Sequence, residues 1–298
     1  MKQSAFDFAN PAASDSGQRN LRPFKTQLLK WVGNKQRFAH EIVSYFPTSF
    51  DRYIEPFLGS GAVLATLAPS RAVAGDALSP LASIWKTLVS APATLDSWYS
   101  ERFQLIHDLG KEAAYDRVRT RFNNEPNPAD LLFLSRTCYG GVVRFRRDGQ
   151  MSTPCGVHQP ISPEAFLHRV KVWHARFRHT EIRCCDFEEL IDAAGAGDVV
   201  YCDPPYSHTQ SILYGAQAFS LGRLFAAIER AKKRGAFVAL SIDGTKKSGR
   251  VVCDVGVPRG LFAREKSVNC GSSMLRRFQV GGQSVEFEVV SDRLLMTH

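Results

Sequence analysis

The chain has 298 residues, 44% of them hydrophobic and 22% charged, which is ordinary for a globular protein and enough for one large domain or a domain with a substantial insertion. No apolar run approaches the roughly 18 residues needed to cross a membrane, and the polar N-terminus lacks the apolar stretch of a secretory signal. Lys and Arg outnumber Asp and Glu by 38 to 29, a net charge of +9, which admits a polyanion as partner without establishing one.

In chain order, residues 1–24 read as a disordered tail rich in Ser, Asn, Asp and Pro. Short apolar strands are predicted at 52–55 and 72–74, with helices at 62–67 and 78–89. The stretch 91–179 breaks this rhythm: it is richer in amphipathic, helix-like segments and ends in a Gly- and Arg-rich loop at 139–149. Strands return at 198–202, 236–242 and 285–290, around a helix at 221–233. Alternating strands and helices specify an α/β sheet with helices on both faces. Residues 25–90 and 180–298 are expected to form that domain, and 91–179 an inserted, mostly helical one. Near the C-terminus, Gly-Ser and Gly-Gly turns around Arg276 and Arg277 read as a basic hairpin over 270–283.

The positive charge is clustered. Eight Lys and Arg stand against two Asp and Glu in 131–180, and again in 244–280. The seven cysteines are odd in number and form no Cys-x-x-Cys pair. They read as reduced thiols of a cytoplasmic protein, with no zinc or other metal expected.

Two motifs carry chemistry. In Tyr53-Ile54-Glu55-Pro56-Phe57-Leu58-Gly59-Ser60-Gly61-Ala62 a strand runs into a Gly-x-Gly turn and then a helix, where a ligand can lie against bare backbone. The third glycine of the dinucleotide fingerprint is missing, as is the Lys of a phosphate-binding loop. Asp76, at the end of the next strand, is placed to accept from a ribose diol. The same pattern is compatible with an ordinary glycine turn. In Asp198-Val199-Val200-Tyr201-Cys202-Asp203-Pro204-Pro205-Tyr206, an apolar strand delivers an acid, two prolines and an aromatic to its C-terminal end, where open α/β sheets bind ligands. Asp203 and the Pro204 carbonyl can accept both hydrogens of an amino group, and Tyr206 offers a stacking face. A plain turn is the competing reading.

With these residues in view, the chain resembles the alpha group of DNA N6-adenine methyltransferases, the Dam-like enzymes of bacteria and phages. The resemblance runs over nearly everything beyond residue 26. It implies a Rossmann-like class I methyltransferase sheet with an inserted target-recognition domain, S-adenosylmethionine as cofactor and double-stranded DNA as substrate. Leu29-Lys30-Trp31-Val32-Gly33-Asn34-Lys35 resembles the segment that covers the methionine part of the cofactor. Asn34 replaces a glycine there, as a residue that tolerates left-handed backbone. By the same resemblance Glu55, Pro56, Phe57, Gly59, Ser60 and Gly61 form the cofactor loop, Asp76 binds ribose, and Asp186 contacts the cofactor's adenine, although a helix-capping Asp would look the same. Asp203-Pro204-Pro205-Tyr206 resembles the catalytic motif. The run from Leu134 to Phe145, with Arg136, resembles the target-recognition stretch; Tyr139 falls on its wedging aromatic and Arg144 on its guanine-reading arginine. Read without the family, Arg144, Arg146 and Arg147 are phosphate contacts or a solvated loop.

Two alternatives stand beside this reading. One is a methyltransferase of the same fold acting on RNA or another amino group; Asp203 favours adenine, because cytosine N4 enzymes resemble this motif with Ser in its place. The other is a catalytically silent DNA-binding homologue. A monomer is expected.

Overall fold

The computed structural model describes residues 21–205, 219–246, 251–252, 256–272 and 289–298. The tail expected over 1–24 lies outside these up to residue 20, as do Tyr206, Arg276 and Arg277 and most of the expected basic hairpin.

The described residues begin with an irregular segment in which Phe24, Leu28, Leu29 and Trp31 are buried. Helix α1 (Ala39–Ser44) leads to strand β1 (Arg52–Glu55), α2 (Ala62–Leu67), β2 (Ala72–Gly75) and α3 (Ser79–Ser90). Then come α4 (Pro92–Leu109), α5 (Lys111–Asn124), α6 (Pro128–Thr137) and, after a long loop, α7 (Pro163–Phe177). The order continues with β3 (Thr180–Arg183), α8 (Phe187–Asp192), β4 (Asp198–Cys202), α9 (Leu221–Lys233), β5 (Phe237–Lys246), β6 (Val251–Val252), β7 (Arg264–Ser272) and β8 (Val289–Met296).

The strands lie in the order β3-β2-β1-β4-β5-β8-β7, with β6 paired to β5. The first five are parallel and β8 is antiparallel to both its neighbours. The order reverses between β1 and β4, the switch point outside which open α/β sheets hold ligands. At the opposite end of these two strands, Arg52 holds Asp198 through two hydrogen bonds of 3.2 and 2.7 Å, locking the Arg52–Asp198 register. The central strands are buried on both faces, and alternate side chains enter two different cores. Tyr53, Ala72, Val199 and Tyr201 face the core shared with α1, α3 and α7. Ile54, Val73, Val200 and Cys202 face the one formed with α8 and α9.

The helices of 91–179 do not have a separate core. Tyr99, Tyr115, Phe133 and Phe166 join the same apolar cluster as Tyr53 and Tyr201. Helix α7 packs on α4 and also on α2 and α3. Asp130 is fully buried at the start of α6, where Arg102 of α4 and Arg121 of α5 both donate to it and Asn127 caps the helix. One carboxylate thus ties three helices together. The loop 138–162 starts as a narrow hairpin, with Cys138 bridged to Cys155 and Phe145 to Met151. Val143, Phe145 and Met151 are buried while Arg146 and Arg147 at its tip are exposed.

No helix among the described residues is long and apolar enough to cross a membrane.

Candidate active site

A cleft of about 280 Å³ opens at the C-terminal ends of β1, β2 and β4. Its floor is the loop after β1. Gly59 and Gly61 both have positive φ, +48° and +64°, which glycine adopts without strain. The Leu58 carbonyl accepts from Gly61 N–H, closing the turn. From outside, Trp85 Nε1 donates to the Gly59 carbonyl at 3.0 Å. Asp76 accepts from Gly59 N–H at 3.0 Å and Leu78 N–H at 2.9 Å, one on each oxygen. Burial raises the Asp76 carboxyl above its usual range against the pull of these two donors. Each of its oxygens keeps a lone pair for a further donor.

Aromatic rings form one wall. Phe57 stacks on Phe187 with centroids 5.1 Å apart, and Phe219 meets both edge-on at 5.9 and 5.8 Å. Asp186 stands at the mouth of α8, accepting from Glu188 N–H at 3.0 Å and paired with Arg223 at 3.0 Å. It is a helix cap and also lines the cleft. Flat apolar faces with carboxylates at Asp76 and Asp186 suit a nucleoside: a base against the rings and ribose hydroxyls on an acid.

The other end of the cleft is ionic. Asp203, at the end of β4, lies 3.0 Å through Oδ1 from Lys35 Nζ, and Asp292 Oδ2 lies 3.1 Å from the same nitrogen. Burial alone would lower the Lys35 pKa, but Asp203 and Asp292 outweigh it and hold the ammonium well above its usual range. Glu55 is buried beside them and accepts from Tyr53 Oη at 2.7 Å. Burial, reinforced by the charge on Asp203, pushes Glu55 up to about 8 against that hydrogen bond. Burial thus favours the protonated form of Glu55, while Asp203 is paired with a cation.

Most of the residues expected in the site meet here. Trp31, Gly33, Lys35, Glu55, Pro56, Phe57, Gly59, Ser60, Asp76, Asp186, Asp203, Pro204 and Pro205 all line the cleft; Tyr206 lies outside the described residues. Three further residues are placed elsewhere. Lys30 does not line the cleft; its side chain packs where a Cβ on Gly141 would fall, 2.6 Å away. Gly61 does not line it either: a Cβ there would come within 2.8 Å of Phe177 and 3.2 Å of Trp85, so the glycine serves packing behind the loop. Arg136, expected to contact DNA, is 5% exposed. Its guanidinium donates to the Leu28 and Gln27 carbonyls at 2.8 and 3.2 Å, and burial lowers its pKa to about 10. Asn34 also departs from expectation, since among described non-glycine residues only Ala68 has a positive φ. Its Oδ1 instead accepts from Ser60 Oγ at 3.2 Å and Gln36 N–H at 2.8 Å, joining the N-terminal segment to the glycine loop.

Tyr139 and Arg144 sit on the hairpin below the exposed tip. Tyr139 N–H donates to the Pro154 carbonyl, and Arg144 N–H to Thr153 Oγ1 at 2.9 Å. Sequence reasoning missed Phe187, Phe219 and Asp292. Phe187 follows Asp186 and could have been found as its neighbour, whereas Phe219 and Asp292 stand in no motif. Among the described residues, no group of three or more His, Cys, Asp or Glu could hold a metal ion.

A mostly parallel sheet with its switch point at β1 and β4, a glycine loop answered by an acid after β2, and Asp-Pro-Pro after β4 are the marks of a Rossmann-like methyltransferase. The profile of the D12 class N6 adenine-specific DNA methyltransferase family matches residues 31–247, and the chain belongs to that family. Among its relatives is a DNA N-6-adenine-methyltransferase of Escherichia phage P1, 30% identical over 273 residues, a match covering 86% of this chain and 35% of the relative. The retron Ec67 DNA adenine methylase of Escherichia coli is 32% identical over 192 residues, covering 62% of this chain and 65% of that protein. The type II methyltransferase M.MjaIII of Methanocaldococcus jannaschii is 28% identical over 248 residues, covering 74% and 84%. The chain thus spans less than two thirds of the first two relatives, and the resemblance to Dam-like enzymes holds at the level of the family.

Proposed function

We propose that this chain is a site-specific DNA methyltransferase that moves a methyl group from S-adenosylmethionine to N6 of an adenine turned out of duplex DNA. The observation that carries the reading is Asp203-Pro204-Pro205 at the end of β4, opening onto the cleft that Asp76 and the Phe57–Phe187 pair shape for a nucleoside. Membership of the family supports it.

In this reading Asp76 holds the ribose hydroxyls, Asp186 and the phenylalanine rings hold the adenine, and Trp31, Gly33 and Lys35 cover the methionine part. Bound there, S-adenosylmethionine supplies an electrophilic methyl group on a sulfonium centre. The amino nitrogen of the target adenine is a poor nucleophile, because its lone pair is delocalised into the ring. Asp203 and the Pro204 carbonyl, accepting its two hydrogens, favour a pyramidal nitrogen whose lone pair points along the cleft. Orientation and preorganised acceptors then do the catalytic work, with no covalent enzyme intermediate.

Reaching N6 requires taking the base out of the stack, at a cost of a few kcal/mol. Stacking on Tyr206 and a wedge from Tyr139, worth roughly 1–3 kcal/mol per base, offset it. Arg144 reads a guanine, Arg146 and Arg147 meet phosphates from the exposed tip, and Arg276 and Arg277 add a second basic contact.

The test is transfer from labelled S-adenosylmethionine to unmethylated duplex DNA, followed by hydrolysis and identification of the base, with Asp203→Ala alongside. The expected product is N6-methyladenine from the unmodified protein alone, with cofactor binding kept in the variant. Transfer to RNA or protein instead of DNA would overturn the substrate, and absence of cofactor binding would leave a silent DNA-binding protein.

A further inference from the structure

The hairpin that carries Tyr139 and Arg144 has strands of unequal length. Its two bridges, Cys138 with Cys155 and Phe145 with Met151, enclose residues 139–144 on the first strand but only 152–154 on the second. The backbone bonds flanking each bridge are made, among them Tyr139 N–H to the Pro154 carbonyl and Ser152 N–H to the Arg144 carbonyl, both at 2.9 Å. The surplus is taken up by a tight turn, Tyr139–Gly141, and by a bulge after it. This puts the Val142 carbonyl and the Arg144 N–H out of step with the facing strand. Buried backbone groups need partners, and one side chain serves both. Thr153, 4% exposed, donates through Oγ1 to the Val142 carbonyl at 2.8 Å and accepts from Arg144 N–H at 2.9 Å. A single hydroxyl thus spans Val143 and fixes the backbone at Arg144.

The strand holding Thr153 is in turn laid along α5. Lys111, Tyr115, Arg119 and Asn123 follow one another at intervals of four and so share one face of that helix. Lys111 Nζ donates to the Gly156 and Val157 carbonyls at 2.7 and 2.9 Å. Tyr115 Oη and Arg119 donate to the Thr153 carbonyl at 2.7 and 3.2 Å. Asn123 accepts from Met151 N–H at 2.7 Å and donates to the Met151 carbonyl at 3.1 Å. The helix is a rail for the second strand, and Thr153 ties the bulged first strand to it.

We propose that Thr153 is a positioning residue for sequence specificity, its hydroxyl setting the direction in which Arg144 leaves the hairpin; the inference rests on the reading of Arg144 as a base contact given above. Bulges re-aim side chains at functional sites, and a contact that reads a base edge has to be held within about 0.5 Å of its productive geometry. Val in place of Thr153 keeps the shape and removes both hydrogen bonds. The bulge then relaxes and Arg144 meets its base pair out of register, while the cleft, which Thr153 does not line, is left alone.

The experiment uses the full chain and the variants Thr153→Val, Thr153→Ser, Arg144→Ala and the Arg144→Ala/Thr153→Val pair. The recognition site is first mapped by sequencing DNA methylated by the unmodified protein. Then kcat/KM is measured on that site and on sites with each base pair changed in turn, beside a thermal melt. Arg144→Ala marks the base pair that Arg144 reads. At that pair Thr153→Val should lower discrimination by roughly fivefold to 100-fold, with the other positions unchanged. Thr153→Ser, which keeps the hydroxyl, should retain most of the discrimination. In the Arg144→Ala background, Thr153→Val should cause no further loss at that pair. Unaltered discrimination in a folded Thr153→Val protein, a loss spread evenly over all positions, or a further loss in the paired variant would overturn the inference. If Thr153→Val does not fold, Thr153→Ala, which removes the hydroxyl without placing a methyl group there, replaces it in both backgrounds. Absence of transfer by the unmodified protein, or an Arg144→Ala variant with every base preference intact, would overturn the reading above and this inference with it. A selective effect of Arg144→Ala beside an indifferent Thr153 counts against this inference alone.

Discussion

Two buried residues, Glu55 in the cleft and Gly61 behind it, make predictions at the scale of one residue. Glu55 has a folded pKa of about 8 against an ordinary 4.5. A carboxyl so raised binds its proton more tightly in the folded state, so its contribution is most favourable below pH 4.5 and is lost as the pH climbs through about 8. Stability of the unmodified protein relative to Glu55→Gln should therefore fall across that window. Denaturant melts at a series of pH values check this, and parallel curves would contradict the assignment. Gly61 makes a simpler case. Its positive φ and the 2.8 Å approach of a Cβ to Phe177 mean that Gly61→Ala should cost about 1–3 kcal/mol by overpacking, read from the same melts. The loss should appear without cofactor present, because the clash lies in the core and not in the cleft.

At the scale of elements, Asp130 and the hairpin separate stability from recognition. Asp130→Ala leaves Arg102 facing no carboxylate at α6 and should destabilise by about 3–5 kcal/mol, measured by equilibrium unfolding. The hairpin should behave differently. Arg144→Ala is expected to relax sequence preference by about 1–3 kcal/mol at one base pair, seen by mapping methylated sites. Arg146→Ala and Arg147→Ala should instead weaken binding to all duplexes alike, each reducing the salt dependence by about one unit of slope. Central strands were easy to read in the sequence, since β1, β2 and β4 are short apolar runs buried on both faces. Edge strands were not. In β3, Glu181 and Arg183 point to solvent, and Arg264-Glu265-Lys266 opens β7, so neither shows an apolar run. Of the strand expected at 285–290, residues 285–288 lie outside the described residues; the described β8 is Val289–Met296, and Asp292 and Arg293 interrupt its apolar pattern. The charge that hid the strand is the one that faces Lys35.

For the whole molecule, the expected sheet with helices on both faces is the fold observed, whereas the inserted helices share a core with it. That continuity was illegible because amphipathic helices look alike whether they close on one another or on a sheet. Much of the cleft was legible because glycine turns and Asp-Pro-Pro are local signals. Arg136 misled for the opposite reason: a cationic residue beside a basic loop looks exposed until distant backbone carbonyls are brought to it. Its contacts at Gln27 and Leu28, joined by Arg169 donating to Gln27 at 2.8 Å, fasten the helical layer to the segment that ends in Trp31, which lines the cleft. The two proposed ligands therefore belong to one thermodynamic cycle. If a bound duplex tilts the helices, Trp31 moves with them, and whatever factor DNA then applies to cofactor affinity, the cofactor must apply to DNA. Calorimetric titration of S-adenosylmethionine with and without duplex should yield that factor, and Arg136→Met should bring it toward unity.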